Sequence, residues 1–351
     1  MAEIIYKREH NDAAYGKIDT PIRMIIEHES DLLTKKGGFA DAVFNIEKSS
    51  RFGETIVSNN GFSTFAAVAE GGTAVKDTKY ESQKKFIEHI QFIKEFIITQ
   101  TMMEDGVNGI SVEAKMRAEE FTRAYYKTMH FLASTILANG HLEEVDFAGE
   151  MVSTTTGDGL PLFHKEHVWG KDIGIGKPTG KQSNAFYADL KQFGDGAVLS
   201  AEEALFEAAV KLRNMKDENG SPLGYTADTI IIPGNMPKLE MALKTAAGTE
   251  KQTGSNFNNI NVQYGNWNVI VDYTWEATSP EFRIMSSEAN RNLRGNMLFN
   301  RVPLTVRSFI DNHTWNNCWS GRCRFGAGFG TYKHILTIRD SATEVANYSA
   351  L

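Results

Sequence analysis

Two histidines, His164 and His167, flank Lys165-Glu166 in a polar stretch of the chain. A helical His-x-x-His pair can bind a metal ion or serve a hydrolase. Neither the metalloprotease spacing, with an intervening Glu, nor its reverse is present, and nearby Gly and Pro argue against a helix. We interpret both as surface histidines in a loop and keep a hydrolase that uses them as an alternative.

The stretch 176–182 has some features of a phosphate-binding loop. The Walker pattern places four residues between its glycines and a Ser or Thr after the Lys, to hold magnesium. Here Gly176 and Gly180 are separated by only three residues, and Gln182 follows Lys181. The motif also requires a strand directly before it, and no strand-like run precedes this stretch. We predict a polar loop that binds no nucleotide.

The remaining reactive side chains form no catalytic pattern. Cys318 and Cys323 are the only cysteines, and their number and spacing suit neither a disulfide framework nor a zinc knuckle. The nearby Trp319 favours reduced, buried thiols. The acidic pairs 119–120 and 143–144 lie in or beside predicted helices, where solvated carboxylates are the ordinary interpretation. We predict no enzymatic activity, no cofactor and no catalytic, cofactor-binding or metal-binding residue.

The composition is that of a folded protein large enough for two packed units. The chain has 351 residues, of which 41% are hydrophobic and 23% charged. Its formal charge of -7 argues against nonspecific binding of nucleic acid through a basic surface. The N-terminus lacks the apolar core of a signal peptide, and no run approaches the roughly 20 apolar residues that span a bilayer. We expect a soluble protein made in the cytoplasm.

The strongest structural signal begins with the polar turn 153–163 and continues into a helix. Ser200 and Glu203 have the spacing of a capping box, which predicts that this helix starts at Ser200. An apolar stripe at helical spacing follows, made of Ala201, Leu205, Ala208, Leu212 and Met215. The helix must therefore pack against another element.

A breaker at 219–222 separates that helix from a β-branched run, Thr229–Pro233, which predicts a strand buried on both faces. Pro237 suits the first turn of a second helix that stops near Gly248. The predicted local order is therefore helix, strand, helix.

Three phrases in this region resemble the major capsid proteins of tailed bacteriophages, particularly the Mu-like major head subunits. They are Thr-Gly-Asp-Gly-Leu-Pro-Leu-Phe-His, Leu-Arg-Asn-Met-Lys-Asp-Glu-Asn-Gly and Ala-Asp-Thr-Ile-Ile-Ile-Pro. The resemblance implies an α+β protein of the Hong Kong 97-type capsid fold. That fold has an N-terminal arm, a β-hairpin called the E-loop, a peripheral domain with a long spine helix, and an axial domain.

The segment from Tyr80 to Ile98 fits either a helix or a strand by its spacing. Its β-branched and aromatic residues and the preceding Gly71-Gly72 favour a strand, and the resemblance places the E-loop here. The candidate intersubunit contacts on the E-loop are Glu70, Gly71, Gly72, Lys76 and Tyr80. Some relatives crosslink subunits through an E-loop Lys, but Lys is too common for Lys76, Lys79, Lys84 or Lys85 to predict a crosslink.

Ser111 opens the clearest helix, which repeats apolar positions to Ile136 and stops at Asn139-Gly140, the usual left-handed end. Its length and place match the spine helix. The resemblance then divides the chain as follows: arm 1–50, first part of the peripheral domain 51–61, E-loop hairpin 62–100, peripheral domain with spine helix 101–150, axial domain 151–300, and return to the peripheral domain with the C-terminus 301–351.

The implied function is that of a structural head protein that assembles with itself into pentamers and hexamers and closes an icosahedral shell around a double-stranded DNA genome. Implied partners are portal, scaffolding and decoration proteins and packaged DNA held without sequence-specific contact, with no membrane. The implied location is the virion, after assembly in the host cytoplasm. The alternative is an encapsulin-like nanocompartment shell, which shares the fold but encloses cargo enzymes.

Overall fold

The computed structural model describes residues 5–8, 13–59, 65, 67–73, 76, 81–99, 101, 112–170, 179–190, 198–251, 260–340 and 347–351. The chain divides into two compact units. The first comprises 1–54, 87–133 and 298–327, and the second comprises 55–86, 134–297 and 328–351. Both units are discontinuous in sequence, so strands from distant parts of the chain complete each sheet.

The described residues of the first unit form a five-stranded sheet and three helices. Its helices are α1 (Ala13–Lys36), α2 (Phe39–Val43) and α3 (Val112–Ala138), the last of which continues into the second unit after Ala133. Its strands are β1 (Ile5–Arg8), β2 (Asn45–Lys48), β5 (Ile90–Ile98), β14 (Asn296–Ile310) and β15 (Asn317–Phe329). The sheet order is β1-β14-β15-β5, and β2 also pairs with β14.

Aromatic side chains fill the core of the first unit. Phe96 of β5 stacks on Trp319 of β15 with ring centroids 5.2 Å apart, and it also contacts Phe121 of α3. Phe92 stacks in the same way on Phe325. Alternate residues of β5 face this core, as period-two spacing requires.

The helix α1 packs against α3 through polar contacts. Arg123 Nε lies 2.6 Å from Glu29 Oε1, and the Tyr126 hydroxyl lies 2.9 Å from Ser30 Oγ. The sequence predicted no sustained period over residues 1–50. Gly16 and Pro21 lie within α1 and weaken its helical signal, but burial of Ile22 and Ile26 stabilises it.

The second unit is built on a six-stranded sheet of order β12-β11-β13-β16-β10-β17. Its strands are β10 (Ala185–Ala188), β11 (Thr229–Pro233), β12 (Asn268–Asp272), β13 (Glu281–Met285), β16 (Ile335–Asp340) and β17 (Ser349–Ala350). Its helices are α4 (Val198–Arg213), α5 (Pro237–Gly248) and α6 (Ser287–Asn292). β11 runs parallel to β12 and antiparallel to β13.

The remaining strands of the described residues form three two-stranded sheets. They are β3 (Gly53–Asn59) with β4 (Glu81–Glu88), β6 (Glu144–Phe147) with β7 (Glu150–Ser153), and β8 (His167–Trp169) with β9 (Gly180–Gln182).

Several predictions from local sequence are confirmed. β11 spans Thr229–Pro233 with every residue buried, and α5 begins at Pro237 and ends at Gly248. The predicted stripe, Ala201, Leu205, Ala208, Leu212 and Met215, is buried throughout, although Met215 lies two residues beyond the end of α4. The long helix α3 has 27 residues, close to the predicted length.

Two predictions about helix ends are wrong. α4 begins at Val198, so Ser200 lies within its first turn and is not the capping residue. Gly140 does not have a positive φ, so α3 lacks the left-handed end predicted from Asn139-Gly140. A Cβ on Gly140 would lie 2.9 Å from the Phe163 ring, so close packing accounts for the glycine.

The predicted strand 80–98 is two strands that belong to different sheets. β4 pairs with β3, whereas β5 pairs with β15, and the break falls at His89, whose Nδ1 donates to the carbonyl oxygen of Phe52 at 2.6 Å. The first strand of the β3–β4 pair, 53–59, therefore lies before the predicted hairpin 62–100, and the second strand, 81–88, lies within it.

The C-terminal strands belong to two different sheets. β14 joins the five-stranded sheet, but β16 pairs with β13 and β10 in the six-stranded sheet. The stretch from Tyr332 to Arg339 therefore belongs to the second unit, because its strand pairs with strands of that unit.

Candidate functional site

The segment between β3 and β4 carries the residues that the sequence singled out for intersubunit contact. Every described residue between 65 and 76 is exposed, including the aromatic ring of Phe65. Glu70 and Gly71 form a turn in which the Gly72 N–H donates to the Ala69 carbonyl oxygen at 2.9 Å. Gly71 has a φ of 79°, which Gly adopts without the steric penalty of a side chain. The Gly-Gly turn is thus present at the predicted position.

Lys76 is also exposed, and Tyr80 lies outside the described residues. Glu70, Gly71 and Gly72 therefore share one turn. Lys76 lies further along the same exposed segment.

Two polar side chains on the buried face of β4 attach this strand to other parts of the second unit. Lys85 is only 8% exposed, and its Nζ donates to Ser153 Oγ at 2.8 Å and to Thr155 Oγ1 at 2.7 Å. Gln83 Nε2 donates to the Val168 carbonyl oxygen at 3.1 Å. Burial lowers the pKa of Lys85 to about 8, against an opposing effect of the Glu144 carboxylate. These directional contacts fix the position of β4 without a large apolar interface.

A second polar contact holds β3. Ser58 Oγ donates to Glu218 Oε1 at 3.2 Å, and the same oxygen accepts from Lys333 Nζ at 2.6 Å. The other carboxylate oxygen of Glu218 accepts from the Gly170 N–H at 3.1 Å. Glu218 and Lys333 are both buried, and such a pair is costly to break because either partner alone would be an uncompensated charge.

The polar turn 153–163 packs directly against β4. The Thr156 N–H donates to the Leu160 carbonyl oxygen, and the Gly159 N–H donates to that of Thr156, so the turn is closed by its own backbone. A Cβ on Gly157 would lie 2.9 Å from the Cβ of Gln83, so only Gly permits this approach. One of the phrases on which the capsid resemblance rests thus forms the support for β4.

Asp158 organises the interior of this turn. Its carboxylate accepts from His167 Nδ1 at 2.7 Å, from the Thr156 hydroxyl at 2.6 Å and from the Leu160 N–H at 3.2 Å. Burial favours the neutral carboxyl, but the hydrogen bonds and the charge of the His167 ring outweigh it and hold the pKa of Asp158 below its ordinary value. Asp158 is therefore a structural anion.

His167 is not a surface residue, which corrects the prediction from sequence. It is fully buried, its ring stacks on Tyr332 at a centroid distance of 3.8 Å, and its Nε2 contacts the Leu162 carbonyl oxygen at 3.1 Å. Both ring nitrogens are therefore engaged by acceptors. A substrate has no access to this ring, so His167 offers no free imidazole for hydrolysis.

His164 lies at a ring-centroid distance of 6.0 Å from His167, and its Nδ1 accepts from the Glu166 N–H at 3.1 Å. Burial, and secondarily the nearby His167 ring, lower the pKa of His164.

The other residues considered for chemistry have structural surroundings. Cys318 and Cys323 are free and buried, as predicted, and burial raises their thiol pKa values to about 11 and about 12. Gly180, Lys181 and Gln182 form β9, and residues 176–178 lie outside the described residues.

Across the described ranges, no cluster of three metal-ligating side chains occurs. None of the helices in the described part of the chain is long and apolar enough to cross a membrane.

The sequence predicts the turn but not the residues that hold its flanking strands. Lys85 was considered only as one of several lysines, whereas its alternation with Gln83 on a strand is the signal that places both on the buried face. Glu218 and Lys333 are far apart in sequence, and nothing local in either segment indicates their pairing.

Comparison with solved structures identifies the fold. The structure resembles the procapsid of bacteriophage JBD30 with a TM-score of 0.51 and 11% identity, over 96% of this chain and 78% of that chain. The capsid of Myoviridae phage XM1 matches at 0.49 with 12% identity, over 86% and 92% of the two chains. A virus-like particle from Pyrococcus furiosus matches at 0.48 with 9% identity, over 91% and 98%. No family model and no curated protein matches the sequence.

The chain has the α+β fold of tailed-phage major capsid proteins, the Hong Kong 97-type fold that the sequence phrases implied. The likeness covers nearly the whole chain at low sequence identity, so it shows the fold and no finer relationship. The special likeness to Mu-like head subunits stays a prediction.

Proposed function

We propose that this chain is a major capsid protein, a structural subunit without enzymatic activity that assembles with copies of itself into a closed shell. The observation that carries the proposal is the match of nearly the entire chain to a procapsid subunit. Repeated contacts of modest area suffice for such a shell, because many identical interfaces act together.

The exposed segment between β3 and β4 supports this function. An exposed segment with an aromatic ring at Phe65 is an aggregation liability for a monomer but provides a contact for a neighbouring subunit. Lys85 and Glu218 hold the two flanking strands, β4 and β3, through hydrogen bonds. We assign the E-loop to this segment, residues 60–80, with β3 and β4 as its stem.

The other domain names are assigned on the same basis. We assign α3 as the spine helix, the five-stranded unit as the peripheral domain, the six-stranded unit as the axial domain, and the chain before α1 as the arm. Pentamers and hexamers of the chain would form the icosahedral shell, with portal, scaffolding and decoration proteins as partners. The net charge of -7 suits an inner wall that encloses double-stranded DNA without gripping it.

Electron microscopy of particles from cells that carry the gene tests this proposal. Closed shells or five- and six-membered rings that contain the chain as their main protein support it. A chain found only as small, asymmetric oligomers in those cells contradicts it.

The content of the particles then separates a phage head from a nanocompartment, since fold alone does not. Nuclease-resistant double-stranded DNA in the shell fraction supports the head protein of a virion. Packaged enzyme without DNA supports an encapsulin-like shell.

A further inference from the structure

Two helices cover one face of the six-stranded sheet. The inner faces of α4 and α5 share a core with alternate strand residues, including Ile230, Ile284 and Leu336, which lie opposite one another in the sheet register. Both helices therefore turn their outer faces away from the sheet. These outer faces differ in charge.

The outer face of α4 is acidic and apolar around Phe206, and the exposed cations Lys211 and Arg213 follow only in its last turn. Glu203, Phe206 and Glu207 are exposed on it at helical spacing, and Phe206 is 52% exposed. Beside them lies a recess of about 440 Å³, which Val262 also lines. We call this surface the acidic face. Exposed apolar and anionic groups around a recess suit a partner with an apolar side chain between cations.

The outer face of α5 has the opposite character. Met241 is 63% exposed, and Lys238 and Lys244 lie one turn before and one turn after it, both exposed. Lys244 also forms an ion pair with Glu240 on the same helix. We call this surface the basic face. Its central side chain is an unbranched thioether, which adapts its shape to irregular apolar recesses.

We propose that the acidic face of one copy binds the basic face of the next copy, with Met241 seated in the recess beside Phe206. The partner is a second copy because the same chain presents both halves of a matched pair. The inference rests on the proposed function and deepens it, since it names the surfaces that join neighbouring subunits within one ring.

Charge disfavours a contact of either face with its own copy, because Glu203 and Glu207 would then meet like charges. An isologous dimer would still pair the acidic face of each copy with the basic face of the other, so the size of the covalent products in the test below separates a dimer from a head-to-tail contact. A heterologous contact brings opposite charges together on both sides of an apolar centre. Such head-to-tail contacts generate rings when the rotation closes.

Disulfide trapping in assembled shells tests the contact directly. The variant that combines Phe206→Cys and Met241→Cys is oxidised in the shell with copper phenanthroline and run on a nonreducing denaturing gel. We expect a ladder of covalent oligomers from the double variant and monomer from either single variant. The native thiols of Cys318 and Cys323 are buried, so they give little background.

Normal shells of the double variant that yield only monomer would overturn the contact while leaving the proposed function intact. Dimers from Phe206→Cys alone would also overturn it, because they bring two acidic faces together. Dimers without higher oligomers from the double variant would indicate an isologous pair and would overturn the head-to-tail arrangement. Failure of the unmodified chain to form any shell or ring counts against the proposed function instead.

Charge reversal gives an independent test. Glu203→Lys with Glu207→Lys makes both faces basic, and Lys238→Glu with Lys244→Glu makes both acidic. We expect each pair to reduce shell yield by about tenfold or more, and all four substitutions together to restore it to within about twofold. If the fourfold variant remains folded by circular dichroism and does not recover, the proposed pairing is wrong.

Discussion

The Nζ of Lys85 lies 2.8 Å from the Oγ of Ser153, in a buried contact that joins strand β4 to the polar turn after β7. The second acceptor, Thr155 Oγ1, lies at 2.7 Å and is also a neutral hydroxyl. Ser153 is paired across the β6–β7 sheet with Glu144, the carboxylate that raises the pKa of Lys85 against the larger, lowering effect of burial. The amine of Lys85, which is a titratable group, thus holds strand β4 of the stem in place.

Stability should rise with pH because of Lys85. Its pKa is about 8 in the folded chain and 10.5 in its ordinary state, so the unfolded chain binds more protons between these values. We expect Lys85 to add up to about 3 kcal/mol to the free energy of unfolding as pH rises through this window. Urea unfolding of unassembled subunits from pH 7 to 10 should show this gain in the native chain and not in Lys85→Met.

Lys84→Met is the matched control, since Lys84 is the exposed neighbour on the same strand. Equal pH dependence of Lys85→Met and Lys84→Met would contradict the assignment.

The pairing of Asp158 with His167 should lose its stabilising effect in acid. The folded pKa of Asp158 is depressed, so its contribution is present above the ordinary pKa and falls as pH drops toward the folded value. We expect Asp158→Asn to destabilise the folded chain at neutral pH by roughly 3 kcal/mol, because it removes one member of a buried pair. This difference should shrink between about pH 5 and the folded pKa.

Unfolding curves of the two proteins over this range measure the difference. A constant difference would mean that Asp158 acts through its shape and not through its charge. Glu166→Gln, on the exposed pair with Lys181, serves as a control.

Substitution of Gly71 should affect assembly more than folding. A β-branched residue is strained at a φ of 79°, by about 1–2 kcal/mol, whereas Asn tolerates this region. We expect Gly71→Val to reduce the yield of closed shells in density-gradient sedimentation while near-ultraviolet circular dichroism stays unchanged. Gly71→Asn should assemble normally. Full assembly of Gly71→Val would show that this turn is not part of the contact surface.

Two tryptophans four residues apart should respond differently to truncation. Trp319 is fully buried and stacks on Phe96, whereas Trp315 is 75% exposed. We expect Trp319→Ala to lower the free energy of unfolding by about 3–5 kcal/mol, because it leaves a cavity in the aromatic core. Trp315→Ala should change it by less than about 0.5 kcal/mol. Denaturant unfolding of the two variants measures both effects, and similar losses would contradict the described packing.

Local signals in the sequence determined individual elements. Pro237 set the start of α5, the β-branched run 229–233 set the buried strand β11, and the apolar stripe from Ala201 set the inner face of α4. Each depends on residues a few positions apart, where backbone propensity and side-chain period act directly. The resemblance of three phrases to capsid proteins predicted the fold, which the structure confirms.

Only the tertiary structure decided which elements belong together. Residues 80–98 read as one strand, but hydrogen bonding to β3 on one side of His89 and to β15 on the other divides them between two sheets. His167 reads as a surface loop residue, yet Asp158 and Tyr332, the latter from a distant part of the chain, enclose it. Strand pairing and burial depend on partners far away in sequence, so periodicity and spacing along one segment carry no information about them.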